Sequence, residues 1–398
     1  MLPNVVQTLG DLIAIPSVNP MGHPVTGPEY LEYRVTDYLE SFFRQLGVNY
    51  QRQTVEPKRD NIIARLDGAA TAEAGAPILL FDAHQDTVPV TGMTIEPWTP
   101  VVRDGRIYGR GACDIKGGLA AMLVAFARLA AEPAKRRSTI ILSATVNEEH
   151  GFSGATALTK LWEQPNSIIP RRPAAAIIAE PTELNVVVAH KGVVRWRMHG
   201  LGRAAHSSDP HAGDNAIYRL APALTALERY AQDVAPKLGR HPLCGQPTLS
   251  VGTIQGGLSV NTVPARATIE IDRRLLPGEN PRAAYDHVLG YLAENLAQPG
   301  SIQHDRPYMQ TTGLSDRDNR ALGEQLVRTA RSVVDGSAMV GVPYGTNAAA
   351  TSAAGVPSVV FGPGSIAQAH TADEWLALDQ LELASEVYYR FATEFSAG

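Results

Sequence analysis

The sequence predicts an α/β fold, a mixed sheet flanked by helices and interrupted by a smaller inserted αβ sandwich. Three observations predict it. Short apolar runs of strand length alternate with longer stretches of helical periodicity, the pattern of a sheet covered on both faces. The chain has 398 residues, more than one hydrophobic core usually serves, so two domains are expected. The pattern changes character at Val193 and returns near Val359, so the second domain is an insertion. It takes residues 191–307 and leaves the first domain discontinuous, as 1–190 and 308–398.

Val5, Leu9, Leu12 and Ile13 fall at helical spacing and predict an amphipathic helix ending near Pro16. A second helix covers Glu29 to Leu46 and stops at Gly47. Asn61–Leu66, Ile78–Ala83, Thr139–Val146, Ala174–Ala179 and Pro357–Phe361 are apolar runs that read as buried strands, with a helix from Gly117 to Ala131 between two of them. Asp104-Gly105, flanked by apolar alternation from Val101 to Tyr108, is a two-residue hairpin signal. The inserted domain reads as strand Val193–Leu201, helix Asp214–Tyr230, strands Thr248–Ile254 and Arg266–Leu275, and helix Pro281–Leu296.

Composition narrows the function classes. With 44% hydrophobic and 19% charged residues the chain is of ordinary globular type. Its formal net charge is −5 and it has no basic run to neutralise a phosphate backbone, so no nucleic-acid partner is expected. The first twenty residues lack the basic start of a signal peptide, and no apolar run reaches the ~20 residues that span a bilayer. Two cysteines cannot build a disulfide framework; a cytoplasmic protein is expected.

In open α/β sheets ligands bind beyond the carboxyl ends of the strands, so polar residues there carry the most information. Ile78–Ala83 runs into His84-Gln85-Asp86, Thr139–Val146 into Asn147-Glu148-Glu149, and Ala174–Ala179 into Glu180. The last strand leads through Gly362-Pro363-Gly364 to His370, and Asp114 precedes a helix. Taken singly, each has a plain reading: a hydrogen-bonded His-x-Asp pair, a solvated helix start, a helix cap, a loop histidine. Their recurrence at one strand end after another is what points to chemistry.

Imidazoles and carboxylates without a thiolate suit zinc, with cobalt or manganese fitting the same ligands, and an open coordination position marks a catalytic site. Two ions roughly 3.5–4 Å apart need a bridging carboxylate and terminal ligands on each, which His84, Asp114, Glu149, Glu180 and His370 can supply. Asp86 is placed to accept the second N–H of His84, and Glu148 is free to shuttle protons.

These residues lie in blocks that resemble the M20 metallopeptidases and deacylases. The blocks are Ala83-His84-Gln85-Asp86-Thr87-Val88-Pro89, Gly109-Arg110-Gly111-Ala112-Cys113-Asp114-Ile115-Lys116-Gly117-Gly118, Asn147-Glu148-Glu149 and Ala179-Glu180-Pro181-Thr182. His190-Lys191-Gly192, Ala205-His206-Ser207-Ser208, Asn261-Thr262-Val263-Pro264 and the stretch from Gly362 to His370 continue them in order; the last block is most similar to the acetylornithine deacetylase branch. The resemblance implies a zinc-exopeptidase-like catalytic domain, with His84 and Glu180 on one ion, Glu149 and His370 on the other, Asp114 bridging and Glu148 as general base and acid. It implies that the insert is a lid that mediates homodimerisation, and that His206 stabilises the oxyanion in the other subunit's site. Asn261 and Arg274 match substrate-contacting positions, the arginine pairing with a carboxylate. Asn347 stands where many relatives carry aspartate and is a further candidate for substrate contact.

The implied activity is hydrolysis of a linear amide in amino-acid metabolism, releasing a small acyl group from an N-acyl amino acid. Desuccinylase, aminoacylase or dipeptidase action is the alternative within the same chemistry. A non-catalytic binding protein would be favoured by a missing base or ligand, and all are present. A nucleotide-binding site is disfavoured because Gly109-Arg110-Gly111 leads to Asp114 rather than to a phosphate cradle.

Overall fold

The computed structural model describes residues 2–68, 70–73 and 75–396. They form two compact units. The first comprises the chain up to Val188, Asp316–Val340 and the chain from Thr346; the second comprises Ala189–Ser315 and Gly341–Gly345. The second unit continues past the expected residue 307 because Met309–Thr311 pairs with Gly192–Leu201 and Leu314 bridges to His190.

The first unit is built on an eight-stranded mixed sheet in the order Asn49–Glu56, Arg59–Leu66, Thr139–Thr145, Ile78–His84, Ala175–Ile178, Ser358–Val360, Val186–His190, Met339–Val342. Thr139–Thr145, Ile78–His84, Ala175–Ile178 and Ser358–Val360 are mutually parallel, so their carboxyl ends share one edge. Register sets the level: His84 lies opposite Thr145, and Ile178 opposite both Asp82 and Val360. The central strands are buried on both faces, which is why they read as unbroken apolar runs rather than alternating ones.

One face of the sheet carries the helices Val5–Ile13, Tyr33–Leu46, Lys116–Ala131, Arg320–Arg331 and Leu378–Glu394 around a continuous core that includes Phe43, Phe81, Phe126 and Tyr388. Lys116–Ala131 is apolar almost all round and lies between sheet and Leu378–Glu394. Its start fits tightly: a Cβ on Gly117 would meet the Ala112 carbonyl oxygen at 2.5 Å. Ser153–Leu158 and Ala348–Ala353 pack against other strands of the sheet. The hairpin at 101–108 forms with Asp104 and Gly105 both at positive φ, 48° and 71°, as a type I′ turn requires.

Several elements depart from expectation, among them the added strands Val186–His190 and Met339–Val342 of the large sheet. The second helix begins at Tyr33, not Glu29, because Leu31 is left-handed and Glu32 turns inward to pair with Arg59. Asn49–Glu56 is an additional strand; lying at the sheet's edge it is half exposed and carries mostly polar residues, so it gives no apolar run.

The second unit has a sheet ordered Thr248–Gly256, Arg266–Leu275, Gly192–Leu201, Ile302–His304, with Met309–Thr311 also on Gly192–Leu201. Helices Ala216–Arg229 and Pro281–Asn295 pack on it through Leu220, Leu227, Tyr285 and Val288 against Trp196, Ile269 and Ile271. Asn215 caps the first of these helices, accepting from the N–H groups of Ile217 and Tyr218, and so sets its start just after the expected Asp214.

Candidate metal centre

The shared edge of the four parallel strands gathers the candidate ligands. His84 is the last residue of its strand, and Glu180 follows Ala175–Ile178 by two positions. Glu148 and Glu149 sit in the turn after Thr139–Thr145, whose first residue Asn147 adopts φ 62°. His370 ends the loop that leaves Ser358–Val360, where Gly362 lies so close that a Cβ would meet the Glu180 carbonyl oxygen at 2.7 Å. Asp114 precedes the buried helix Lys116–Ala131, and its peptide bond to Ile115 is cis.

Two groups of ligand atoms result. Those of His84, Asp114 and Glu180 all lie within 4.8 Å of one another, and so do those of Asp114, Glu149 and His370. Asp114 belongs to both and divides its oxygens: Oδ1 lies 3.2 Å from His84 Nε2, and Oδ2 lies 3.3 Å from His370 Nε2. His370 Nε2 is also 3.3 Å from Glu149 Oε2. The other four side chains are buried, whereas that of His370 is 52% exposed.

Electrostatics fit a site that awaits cations. Burial, reinforced by the other acids, pushes the carboxyls of Glu148, Glu149 and Glu180 up. Asp114, flanked by two imidazoles, is held below its usual range despite its burial. His370 is raised to about 11 by Asp114 and Glu149, and His84 is raised well up because Asp114 and Asp86 outweigh its burial. Glu149 Oε1 is buried without a hydrogen-bond partner, an orphan that an ion would satisfy. The donors are nitrogen and oxygen only, with Asp114 shared, and these residues fit a pair of divalent ions.

Asp86 departs from expectation. The second nitrogen of His84, Nδ1, lies 2.9 Å from the backbone carbonyl of Asp86 and 3.6 Å from its carboxylate. The carboxylate accepts the backbone N–H groups of Glu148 and Glu149, each at 3.1 Å, and the Asn19 amide at 2.7 Å. These bonds order the turn carrying Glu148. Burial would raise Asp86, but His84, Arg59 and Asn19 bring it down to about 2.

Asn347 also departs from its expected place against substrate. It is 1% exposed, and its Nδ2 donates to Asp82 Oδ2 at 3.1 Å and Thr145 Oγ1 at 2.9 Å. Asp82 in turn accepts from Ser143 Oγ at 2.6 Å. The amide nitrogen is occupied by residues of the sheet, Thr145 standing opposite His84, while the buried Oδ1 has no hydrogen-bond partner.

The remaining candidates belong to the second unit. His206 and Asn261 share a small ribbon: His206 pairs with Thr262, and the Ser207 N–H donates to the Asn261 carbonyl at 3.0 Å. Both side chains are exposed. Arg274 is half buried and paired with Asp272 at 2.7 Å, while its neighbour Arg273 is wholly buried and paired with Glu279. Cys113 is buried beside Asp114, as packing.

Sequence reasoning missed two groups that hold the ligands. Glu32, bound by Arg59, accepts the Asn147 N–H at 3.2 Å, and Glu374 collects donors from the loop before Asp114. Glu374 is buried in a loop without periodicity, so its one sequence signal is nearness to His370.

Known proteins share this chain's sequence and fold. It is 30% identical over 397 residues to a probable carboxypeptidase from Emericella nidulans, covering 96% of this chain and 87% of that one. It is 29% identical over 415 residues to an acetylornithine deacetylase from Vibrio campbellii, covering 99% of each. Among solved structures, a dipeptidase from Saccharomyces cerevisiae has the same fold, with a TM-score of 0.81, 14% identity and coverage of 98% and 96% of the two chains. The model of peptidase family M20/M25/M40 matches residues 80–394, a span that takes in all five candidate ligands, Glu148 and Glu374. The chain therefore belongs to peptidase family M20/M25/M40 and is a metallo-amidohydrolase.

Proposed function

We propose that the chain is a dinuclear zinc amidohydrolase that releases a small acyl group, acetyl above all, from the nitrogen of an amino acid. The observation that carries this reading is the division of Asp114, one carboxylate oxygen toward each imidazole, between two complete ligand triads. His84, Asp114 and Glu180 would hold one ion, and Asp114, Glu149 and His370 the other. The acetyl preference rests on the Vibrio relative, which matches this chain from end to end. Cobalt or manganese would suit the same donors.

Bound divalent ions supply Lewis acidity, polarising the amide carbonyl and making water acidic enough to give up a proton near neutral pH. This chain's own residues do the rest. Glu148, with a carboxyl raised by burial, takes that proton and returns it to the departing amine. Asp86 fixes the turn that carries Glu148. His206 would donate to the oxyanion, and Asn261 and Arg274 would position the substrate, the arginine against its carboxylate.

The second unit would act as lid and dimer surface. Leu258 is 98% and Val260 100% exposed, beside exposed Ile254 on the outer strand of that sheet, an apolar face that a second copy would cover. A cytoplasmic setting is consistent with neither cysteine forming a disulfide among the described residues. No helix among the described residues is long and apolar enough to cross a membrane.

The test is a panel of N-acetyl and N-succinyl amino acids and dipeptides, assayed after metal stripping and after zinc restoration. Zinc-dependent release of acetate is expected. Preference for succinyl substrates or dipeptides would overturn the acetyl assignment, and no hydrolysis with zinc, cobalt or manganese would overturn the whole reading.

A further inference from the structure

The residue common to both ligand triads stands on a segment with no regular structure of its own. Gly109-Arg110-Gly111-Ala112-Cys113-Asp114 is neither helix nor strand, and Gly109 and Gly111 adopt φ of 150° and 83°. Such a loop would wander unless its backbone polar groups were bound.

Three of its six backbone N–H groups and one side-chain donor converge on one carboxylate. Glu374 Oε1 accepts the N–H of Cys113 at 2.8 Å and of Asp114 at 3.0 Å. Its Oε2 accepts the N–H of Gly111 at 2.9 Å and Arg110 Nη1 at 2.8 Å. The backbone joins in, as Gly109 N–H donates to the Glu374 carbonyl at 3.1 Å. Arg110 is itself buried and reaches the Pro89 carbonyl through Nη2 at 3.2 Å, tying the clamp to the segment after His84. Trp375–Ala377, directly after Glu374, pairs with Arg106–Tyr108, directly before the loop. Charge-assisted bonds from a fully buried carboxylate to four donors are strong and directional.

We propose that Glu374 is a positioning residue of the metal centre, an anchor that fixes the backbone from Gly109 to Asp114 so that the two oxygens of Asp114 face His84 and His370. This rests on the reading of Asp114 as the ligand shared by two ions. Glu374 belongs to neither ligand triad; it acts through Asp114. Because it follows His370 by four positions, one segment delivers both a terminal imidazole and the clamp on the shared carboxylate.

The experiment is zinc titration against a chromophoric chelator for the full chain and for Glu374→Gln, Glu374→Asp and Asp114→Ala, with circular dichroism of each metal-free protein. Glutamine keeps the size but turns an N–H toward donors, and zinc affinity is expected to fall about 10–100-fold with an unchanged spectrum. Aspartate keeps the charge on a shorter stem and is expected to fall between glutamine and wild type. Wild-type affinity in folded Glu374→Gln, even with a lowered unfolding temperature, overturns the proposal and leaves Glu374 a stability residue. Should the glutamine variant not fold, Glu374→Asp decides: affinity weakened about tenfold supports the anchor, and wild-type affinity overturns it. Asp114→Ala separates the two readings. If it binds zinc like wild type, the metal-site assignment itself fails; if it loses zinc while Glu374→Gln does not, the anchor alone fails.

Discussion

Replacing Asn347 by aspartate tests whether its amide serves the sheet or the substrate. The side chain lies with Nδ2 3.1 Å from a carboxylate oxygen of Asp82, itself wholly buried and raised by that burial to about 6. Aspartate would set two buried carboxylates against each other, and one must carry a proton. Holding a proton at pH 7 on a carboxyl whose unfolded pKa is about 3.9 costs about 4 kcal/mol. The new O–H donated to Asp82 returns about 1.5–3 kcal/mol, and losing the bond to Thr145 costs about 1 kcal/mol more. The net loss is about 2–3.5 kcal/mol, or roughly 4–7 °C in unfolding temperature at about 2 °C per kcal/mol for a unit of this size.

The sign with pH follows from linkage. The folded pair binds a proton that the unfolded chain has released, so the folded pKa is raised and stability is lost as pH rises from the unfolded value through the folded one. Differential scanning fluorimetry of Asn347→Asp against wild type should show a small deficit at pH 5 and the full deficit at pH 8. A variant as stable as wild type at pH 8, with altered substrate preference, would refute the buried-donor account and return Asn347 to the substrate.

Glu148→Gln should keep the metal stoichiometry of wild type, measured by atomic emission, while kcat drops by about 10²–10⁴; substantial residual turnover would remove Glu148 from proton transfer. His206→Ala should leave zinc affinity unchanged and lower kcat about 10²–10³-fold, and an effect confined to KM would make it a substrate-binding group. Chelation should destabilise the protein more at pH 8 than at pH 6. In the metal-free fold Glu148, Glu149, Glu180 and both imidazoles are raised, so their stabilising protons are lost as pH climbs from the unfolded carboxyl range through the raised values. Melting curves with and without zinc check this, and a zinc-induced gain independent of pH would contradict it.

The central strands and the side chains at their ends were legible because burial on both faces leaves an uninterrupted apolar run, and a metal-competent residue directly after such a run stands out. The inserted unit was legible for a related reason, since a change of periodicity at Val193 marks a change of partner sheet. What escaped depends on pairing in space. Asn49–Glu56 is a strand because Arg59–Leu66 lies beside it, not because of its own residues. Glu374 looks in sequence like any loop acid; four donors from residues more than 200 positions away make it an anchor. Asp86 and Asn347 were recognisable as important polar residues, but which atoms they engage depends on the register of strands that neither belongs to.

The order of strands in the large sheet has a consequence for how the enzyme comes into being. Ser358–Val360 lies between Ala175–Ile178 and Val186–His190, so the sheet's middle is closed by a strand synthesised long after both its neighbours. Pairings so distant along the chain carry a high loop-closure cost and form slowly. On the ribosome, the acids near Glu148 are therefore made well before His370 exists. Competence to retain metal should appear as a late, all-or-none event in biogenesis rather than accumulate ligand by ligand.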